Sequence, residues 1–297
     1  MAEQEEKSDR RLQFIISLLA VVFLTFLNFT FPIFTIAVVI IWPLPVVYLS
    51  LKQGQRRAGM MIIGSAIING LLFSPLMSMV TVVGFGFIGF VMAGALREDL
   101  SARKVLILTV VAASLSNLIL AAFLLFSLDM GIQQGLTEMV QELADPVMGE
   151  EELSPMLEMQ LRLLTRLLPA FLIISGSLTG ILNYYFVHWF LQVKNFSVET
   201  YSSIASWRFP SVPVSLAVVF GLLFREQAIM FNIAALAFFV VFLQGFGVGL
   251  YSVGSWTKAS LFRWLYILAV LIIPVLPMVM LGIGLIDLWI DLRQLIS

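Results

Sequence analysis

Residues 58–96, AGMMIIGSAIINGLLFSPLMSMVTVVGFGFIGFVMAGAL, hold no charged side chain and lie between two basic segments, KQGQRR and REDLSARK. An uncharged stretch of this length cannot be one soluble helix, because most of its circumference would be left uncovered. Measured against a hydrocarbon core of about 30 Å, it makes two membrane crossings joined by a tight turn at Ser74-Pro75. The second of these carries Gly84, Gly86, Gly89, Ala93 and Gly94. Small residues at such spacing let helix backbones approach closely where lipid removes the hydrophobic drive.

Composition extends this reading to the whole chain. With 60% hydrophobic residues, 12% charged residues and a mean hydropathy of +1.02, it lies outside the range of soluble domains. There is no cysteine and a single histidine, His188, which excludes disulfides, thiolate sites, cysteine nucleophiles and multi-histidine metal centres. No G-x-x-x-x-G-K-[ST] is present, and no G-x-G-x-x-G stands between a strand and a helix. The expectation is therefore no enzyme activity, no catalytic residue, no metal and no cofactor. The N-terminus MAEQEEKSDRR leads into an apolar run, 12–30, with no A-x-A-like cleavage site, which reads as a retained crossing.

The expected fold is all-α: a polytopic membrane helix bundle of about nine crossings, over residues 12–30, 33–51, two within 58–96, 105–127, 167–193, 209–224, 228–251 and 264–285. A cytoplasmic N-terminal segment, 1–11, precedes a five-helix half, 12–127; an acidic amphipathic outer segment, 128–166, precedes a four-helix half, 167–285, and a tail, 286–297. Residues 128–160 carry Asp129, Glu138, Glu142, Asp145, Glu150, Glu151, Glu152 and Glu158 and no basic residue. Ser154-Pro155 reads as a helix start, and Pro169 as a bend in the sixth crossing. Pro43 and Pro45 interrupt the second crossing, and Pro274 and Pro277 the ninth.

Basic residues fix the expected orientation. With the N-terminus inside, inner segments hold Lys7, Arg10, Arg11, Lys52, Arg56, Arg57, Arg97, Arg103, Lys104, Lys194, Arg208, Lys258 and Arg263. Outer ones hold Arg162, Arg166, Arg225 and Arg293, a bias of thirteen to four. This leaves the acidic segment and the tail outside.

Polar side chains at membrane depth cost free energy unless paired, and they mark either helix–helix hydrogen bonds or a bound solute. The solute-binding candidates are Asn69, Asn117, Asn183 and Gln244, with Arg162 and Arg166 at the outer mouth of crossing six; Asn232 is a further polar group. For the asparagines, interhelical pairing is the plainer reading. For the arginines it is pairing with Glu158, four residues before Arg162. His188, beside Trp189, reads as interfacial. Gly84, Gly86, Gly89, Gly94, Gly245 and Gly249 read as helix-packing positions. Broken helices at Pro43/Pro45 and Pro274/Pro277 point to a midplane cavity.

The phrases WPLPVVYLSLKQGQRRAG, VVGFGFIGFVMAGAL, FLQGFGVGLYSVGS and GLIDLWIDLR resemble the YybS-like family of bacterial membrane proteins over nearly the whole chain. The first six crossings also resemble the S components of energy-coupling factor vitamin transporters, which are N-terminus-inside bundles with a proline-containing second helix and a glycine-rich fourth. Crossings seven to nine and the acidic segment depart from that pattern. The resemblance implies a small-molecule-binding, permease-like subunit of the bacterial cytoplasmic membrane, energised by a separate ATP-hydrolysing module. Its expected pocket is lined by crossings two, four, six and eight beneath segment 128–166. The competing expectation is a non-transporting scaffold that anchors a partner protein.

Overall fold

The computed structural model describes residues 2–127, 155–257 and 259–296, and every regular element among them is helical. Most of the acidic segment, with Ser154, lies outside the described residues. The chain packs as two compact units, residues 1–149 with 172–201 and residues 150–171 with 202–297.

In the first unit, α1 (Ala2–Thr30) is followed at Pro32 by a short 3₁₀ turn, then α2 (Thr35–Ile41) and α3 (Pro43–Gln53). Pro43 and Pro45 supply no N–H, yet Trp42 keeps helical angles (φ −56°, ψ −38°) and donates to Val38 O at 2.8 Å. Residues Pro32–Gln53 therefore form one crossing of 22 residues with a gap in its hydrogen-bond ladder. Gly54, at φ +98°, turns the chain into α4 (Gln55–Leu72), a conformation that a side chain would strain.

After the turn at Ser74, α5 (Pro75–Met79) runs into a π-helical stretch (Val80–Gly86) and then α6 (Phe87–Arg97). The absent side chains of the glycines set the packing here. A Cβ on Gly86 would lie 2.6 Å from Ile62 Cγ2, and one on Gly89 would lie 2.8 Å from Val46 Cβ and 3.1 Å from Pro43 O. Gly84 faces Leu120 and Gly94 faces Gln55 at 3.1 and 2.9 Å. Trp42, fully buried, stacks on Phe85 with centroids 4.8 Å apart, amid Val21, Val46, Leu49 and Met61.

A backbone-to-backbone approach joins α7 (Ala102–Ser127) to the second part of α8 (Pro155–Val193). A Cβ on Gly176 would be 2.5 Å from Ser114 Cα, and one on Gly180 would be 2.7 Å from Val110 Cα. Backbone thus lies on backbone. His188 departs from its expected place: it is 0% exposed, with Nδ1 2.8 Å from Tyr184 O and its ring 3.9 Å from that of Tyr184. Its spacing of four residues from Tyr184 turns it inward, and Trp189 is the exposed neighbour.

The second unit contains the start of α8, a 3₁₀ turn (Ile204–Ser206), α9 (Ser211–Leu223), α10 (Ala228–Trp256), α11 (Ser260–Ile272), α12 (Val275–Asp287) and α13 (Leu292–Ile296). α9 runs antiparallel to the first half of α10: Gly221 meets Ala234, and Phe209 N donates to Gln244 Oε1 at 3.0 Å. α11 and α12 bend by 108° across Ile273-Pro274. Gly245 and Gly284 let α12 cross α10, since a Cβ on either would overlap a carbonyl of the other helix, Met280 O or Val241 O. A Cβ on Gly249 would overlap Tyr266, whose hydroxyl donates to Phe246 O at 3.2 Å.

All nine apolar stretches are helical, but they are not equivalent. Among the described residues, six runs are long and apolar enough to cross a membrane, and the bent pair makes a seventh. α4 has 18 residues, with Arg56 and Arg57 in its first turn. α9 has 13 residues, about 20 Å at 1.5 Å per residue, short of a core of about 30 Å.

The tail and the segment at Arg208, expected on opposite sides of the membrane, lie on the same one. Asp291 Oδ2 lies 2.6 Å from Arg208 Nη2, so the tail sits at the end of this unit that carries segment 202–208. An ion pair cannot reach across a bilayer, so the tail and that segment share a side. The sharp bend at Pro274 returns the chain to it.

Candidate functional site

The solute-binding candidates of the first unit are consumed by helix contacts. Asn69 Nδ2 donates to Thr25 Oγ1 at 3.0 Å and to Thr81 Oγ1 at 2.8 Å, and Trp42 Nε1 reaches the same Thr25 oxygen at 3.3 Å. Asn69 Oδ1 is buried without a donor. Asn117 Nδ2 donates from α7 to Ser175 Oγ at 2.9 Å and Leu172 O at 3.3 Å on α8. Asn183, with its amide nitrogen facing α2, donates to Val39 O at 2.9 Å and Ile40 O at 3.2 Å. Val39 O is the carbonyl that residue 43 would normally satisfy, and Pro43 has no N–H to give. Asn183 closes the gap the proline opens.

A comparable repair occurs in the second unit. Asn232 Nδ2 donates to Arg166 O and Asn232 Oδ1 accepts from Ala170 N, both at 2.8 Å, so one amide bridges the carbonyl and N–H of a single helical step beside Pro169. Arg166 donates to Arg225 O, and its guanidinium lies 5.1 Å from the centroid of Phe231. Arg162 is exposed one turn earlier on α8. The Glu158 side chain lies outside the described residues. Within each unit the candidates pair separately, and none is among the residues that line the cavities described below.

Gln244 comes nearest to a site. Its Nε2 donates to Asp287 Oδ2 at 2.6 Å, while Leu292 N donates to Asp287 Oδ1 at 2.9 Å. Arg293 Nη2 lies 3.6 Å from Asp287 Oδ2 and donates to Gln244 O at 3.4 Å. Arg293 is 5% and Asp287 6% exposed. Burial draws the Arg293 guanidinium below its ordinary pKa and Asp287 opposes that pull; an arginine stays charged under either influence. Its Nε and Nη1 have no hydrogen-bond partner.

Beside this network lies a cavity of about 220 Å³, lined by Ala205, Ser206, Arg208, Tyr251, Arg293 and Gln294. Of the four charged groups gathered here, the two arginines are the ones on its wall. The spacing Asp287, Asp291, Arg293 inside the apolar phrase GLIDLWIDLRQLI was the available signal for this cluster. A weak amphipathic pattern alone conceals it, because Arg293 reads as an exposed tail charge until α13 folds back on α10.

A larger groove of about 580 Å³ in the first unit is lined by Arg10, Arg11, Phe14, Ile15, Arg57 and Met60. Its charged groups are exposed and its apolar walls continue into exposed Ile15 and Met60, as expected of a surface facing a lipid interface. The cavity beside Arg293, by contrast, is lined by two arginines, one of them buried with two nitrogens lacking a partner, which makes it the candidate site.

No curated protein and no solved structure matches the chain. A family model described as "Predicted membrane protein (DUF2232)" matches residues 17–288. A multi-pass helical protein whose matched region takes in α12 and Asp287, the chain belongs to the DUF2232 family of predicted membrane proteins.

Proposed function

We propose that this chain is a small-molecule-binding, permease-like subunit of the bacterial cytoplasmic membrane, with no catalytic site or ATPase of its own. The observation that carries this reading is the cavity of about 220 Å³ lined by Arg208 and by buried Arg293, whose Nε and Nη1 have no hydrogen-bond partner. Leaving such donors unused inside a protein is costly, and a polar solute offsets that cost. The short α9 and the bent α11–α12 pair place irregular backbone in the same unit, and such backbone at membrane depth is tolerated where it lines a cavity. With no nucleotide motif in the sequence, another subunit or an ion gradient would supply the energy, and the resemblance of the first six crossings to S components supports a separate ATP-hydrolysing partner.

Native mass spectrometry of protein released from nanodiscs, followed by thermal-shift screening of a vitamin and organic-acid panel, tests the reading. A retained or stabilising solute that proteoliposomes then take up, with the partner module present, is the expected result. Binding of no panel member, together with empty protein in the spectrometer, overturns it.

A scaffold that anchors a partner protein is the second reading. It is favoured by the way Asn69, Asn117, Asn183 and Asn232 are spent on helix contacts rather than on one pocket. Cross-linking in membranes that captures one stoichiometric partner, with no solute bound, supports it.

A further inference from the structure

We propose that Arg293 and Arg208 form a subsite for a small oxyanion, the carboxylate or phosphate group of a solute, in the cavity of the second unit. This rests on the solute-binding reading and names the chemistry of the ligand. Arg293 is held in place from behind. Its Nη2 is shared between Asp287 Oδ2 and Gln244 O, at 3.6 and 3.4 Å, while Nε and Nη1 remain unpartnered. Asp287 is already satisfied at both oxygens, by Gln244 Nε2 at 2.6 Å and Leu292 N at 2.9 Å, so it draws on only one nitrogen of the guanidinium.

Arg208 reaches the same cavity from the segment before α9. It pairs with Asp291 at 2.6 Å, and its side chain is 57% exposed. The Tyr251 hydroxyl and the Gln294 amide add neutral polar groups to the wall. Two guanidiniums converging on one small cavity match the geometry with which arginine binds planar or tetrahedral oxyanions. Gly247 lets α10 pack closely on the 3₁₀ turn and on Arg293: a Cβ there would lie 2.6 Å from Ile204 O and 3.2 Å from Arg293 Nη2. A cation would meet two positive charges at the wall, and a wholly apolar solute would leave the guanidinium unsatisfied.

The test uses full-length protein in phosphatidylcholine nanodiscs, with thermal unfolding followed against sodium phosphate and sodium succinate at the ionic strength of a sodium chloride control. The expected result is a concentration-dependent rise in Tm over chloride with at least one of the two anions. Loss of one charge-assisted contact in Arg208→Gln weakens it by about tenfold, and Arg293→Lys, which keeps the charge but loses the fork, abolishes it. Arg225→Gln, at an exposed turn, responds as wild type. Should Arg293→Lys fail to fold, Arg208→Gln decides.

Nanodiscs containing phosphatidylglycerol separate the two sources of phosphate. Stabilisation confined to them, and removed by the same variants, assigns the subsite to a lipid headgroup. No anion response in either lipid, or a response equal in wild type and Arg208→Gln, overturns the subsite. Anion binding without uptake in proteoliposomes overturns the permease reading and leaves the subsite standing. Uptake of a neutral solute without anion binding does the reverse.

Discussion

An asparagine amide in hydrocarbon is costly unless its oxygen and nitrogen are both paired, and Asn232 finds its partners on one step of a neighbouring helix, Arg166 O and Ala170 N. Asn232→Ala removes both partners at once. Its expected cost is about 1–2 kcal/mol, since each buried group loses its bond while water is scarce. The need for Asn232 arises beside Pro169, so Pro169→Ala lets the helix close there, with Ala170 N donating to Arg166 O, and relieves part of the loss. The double variant is then less destabilised than the two single effects added, a coupling that thermal or denaturant unfolding in nanodiscs measures directly. Strict additivity would show that the amide and the proline act independently. At this scale the sequence was half legible. Asn69, Asn117, Asn183 and Asn232 stand out in apolar runs because their cost is visible from composition alone. Which carbonyl each one meets depends on helix order in space, and Asn183 could be matched to Val39 only after α8 was seen against α2. Arg293 was legible as a charge and illegible as a buried one, because its burial is produced by the return of the chain at Pro274.

Helices here are joined where side chains are missing. One such joint in the first unit is Gly176-x-x-x-Gly180 of α8 against Ser114 and Val110 of α7, where even a methyl group would lie 2.5–2.7 Å from backbone atoms. Backbone cannot yield as a flexible side chain can, so Gly176→Ala and Gly180→Ala force the helices apart, and each is expected to cost about 1–3 kcal/mol as overpacking. Gly282→Ala in α12 is the matched control: nothing lies within 4 Å of its Cβ, so it is neutral or, by helix propensity, stabilising by up to about 1 kcal/mol. Size-exclusion profiles and Tm values of the three variants check the contrast; a Gly282→Ala protein as unstable as Gly176→Ala would show that the cost lies in helix flexibility rather than contact. The small-x-x-x-small spacing at 176–180 is legible in the sequence, though less conspicuous than the denser glycines at 84–94. Those also pack closely, but partly through a π-helical stretch, Val80–Gly86, whose wide turn no periodicity in VTVVGFG announces. Proline was read correctly as a threat to the hydrogen-bond ladder. Its outcome was not readable: at Pro43 the span stays whole because Trp42 keeps helical angles, whereas at Pro274 it bends by 108°.

Across the whole molecule, the question is which ends face which compartment. In the second unit, Arg166 and Arg225 meet at one end, while Arg208, Asp291 and Arg293 gather at the other, with α9 between them. The bias of basic residues favours an orientation with the first pair outside and Arg208 inside. In that orientation the ion pair with Asp291 brings the tail inside, and Arg293 joins the inner charges. A helix of 13 residues covers about 20 Å, so charges at both of its ends must snorkel or the bilayer must thin locally. The natural absence of cysteine makes this testable without a background to remove. Single cysteines at Ser8, Ser206, Glu226 and Gln294, probed in intact cells with a membrane-impermeant maleimide, are expected to divide unequally. Glu226→Cys labels from outside, and the other three label only after permeabilisation. Labelling of Gln294→Cys together with Glu226→Cys would place the tail on the outer face, separate Asp291 from Arg208, and remove the pairing on which the cavity beside Arg293 is built. Labelling of none of the four in intact cells would instead leave α9 as a re-entrant helix that enters and returns on the inner side.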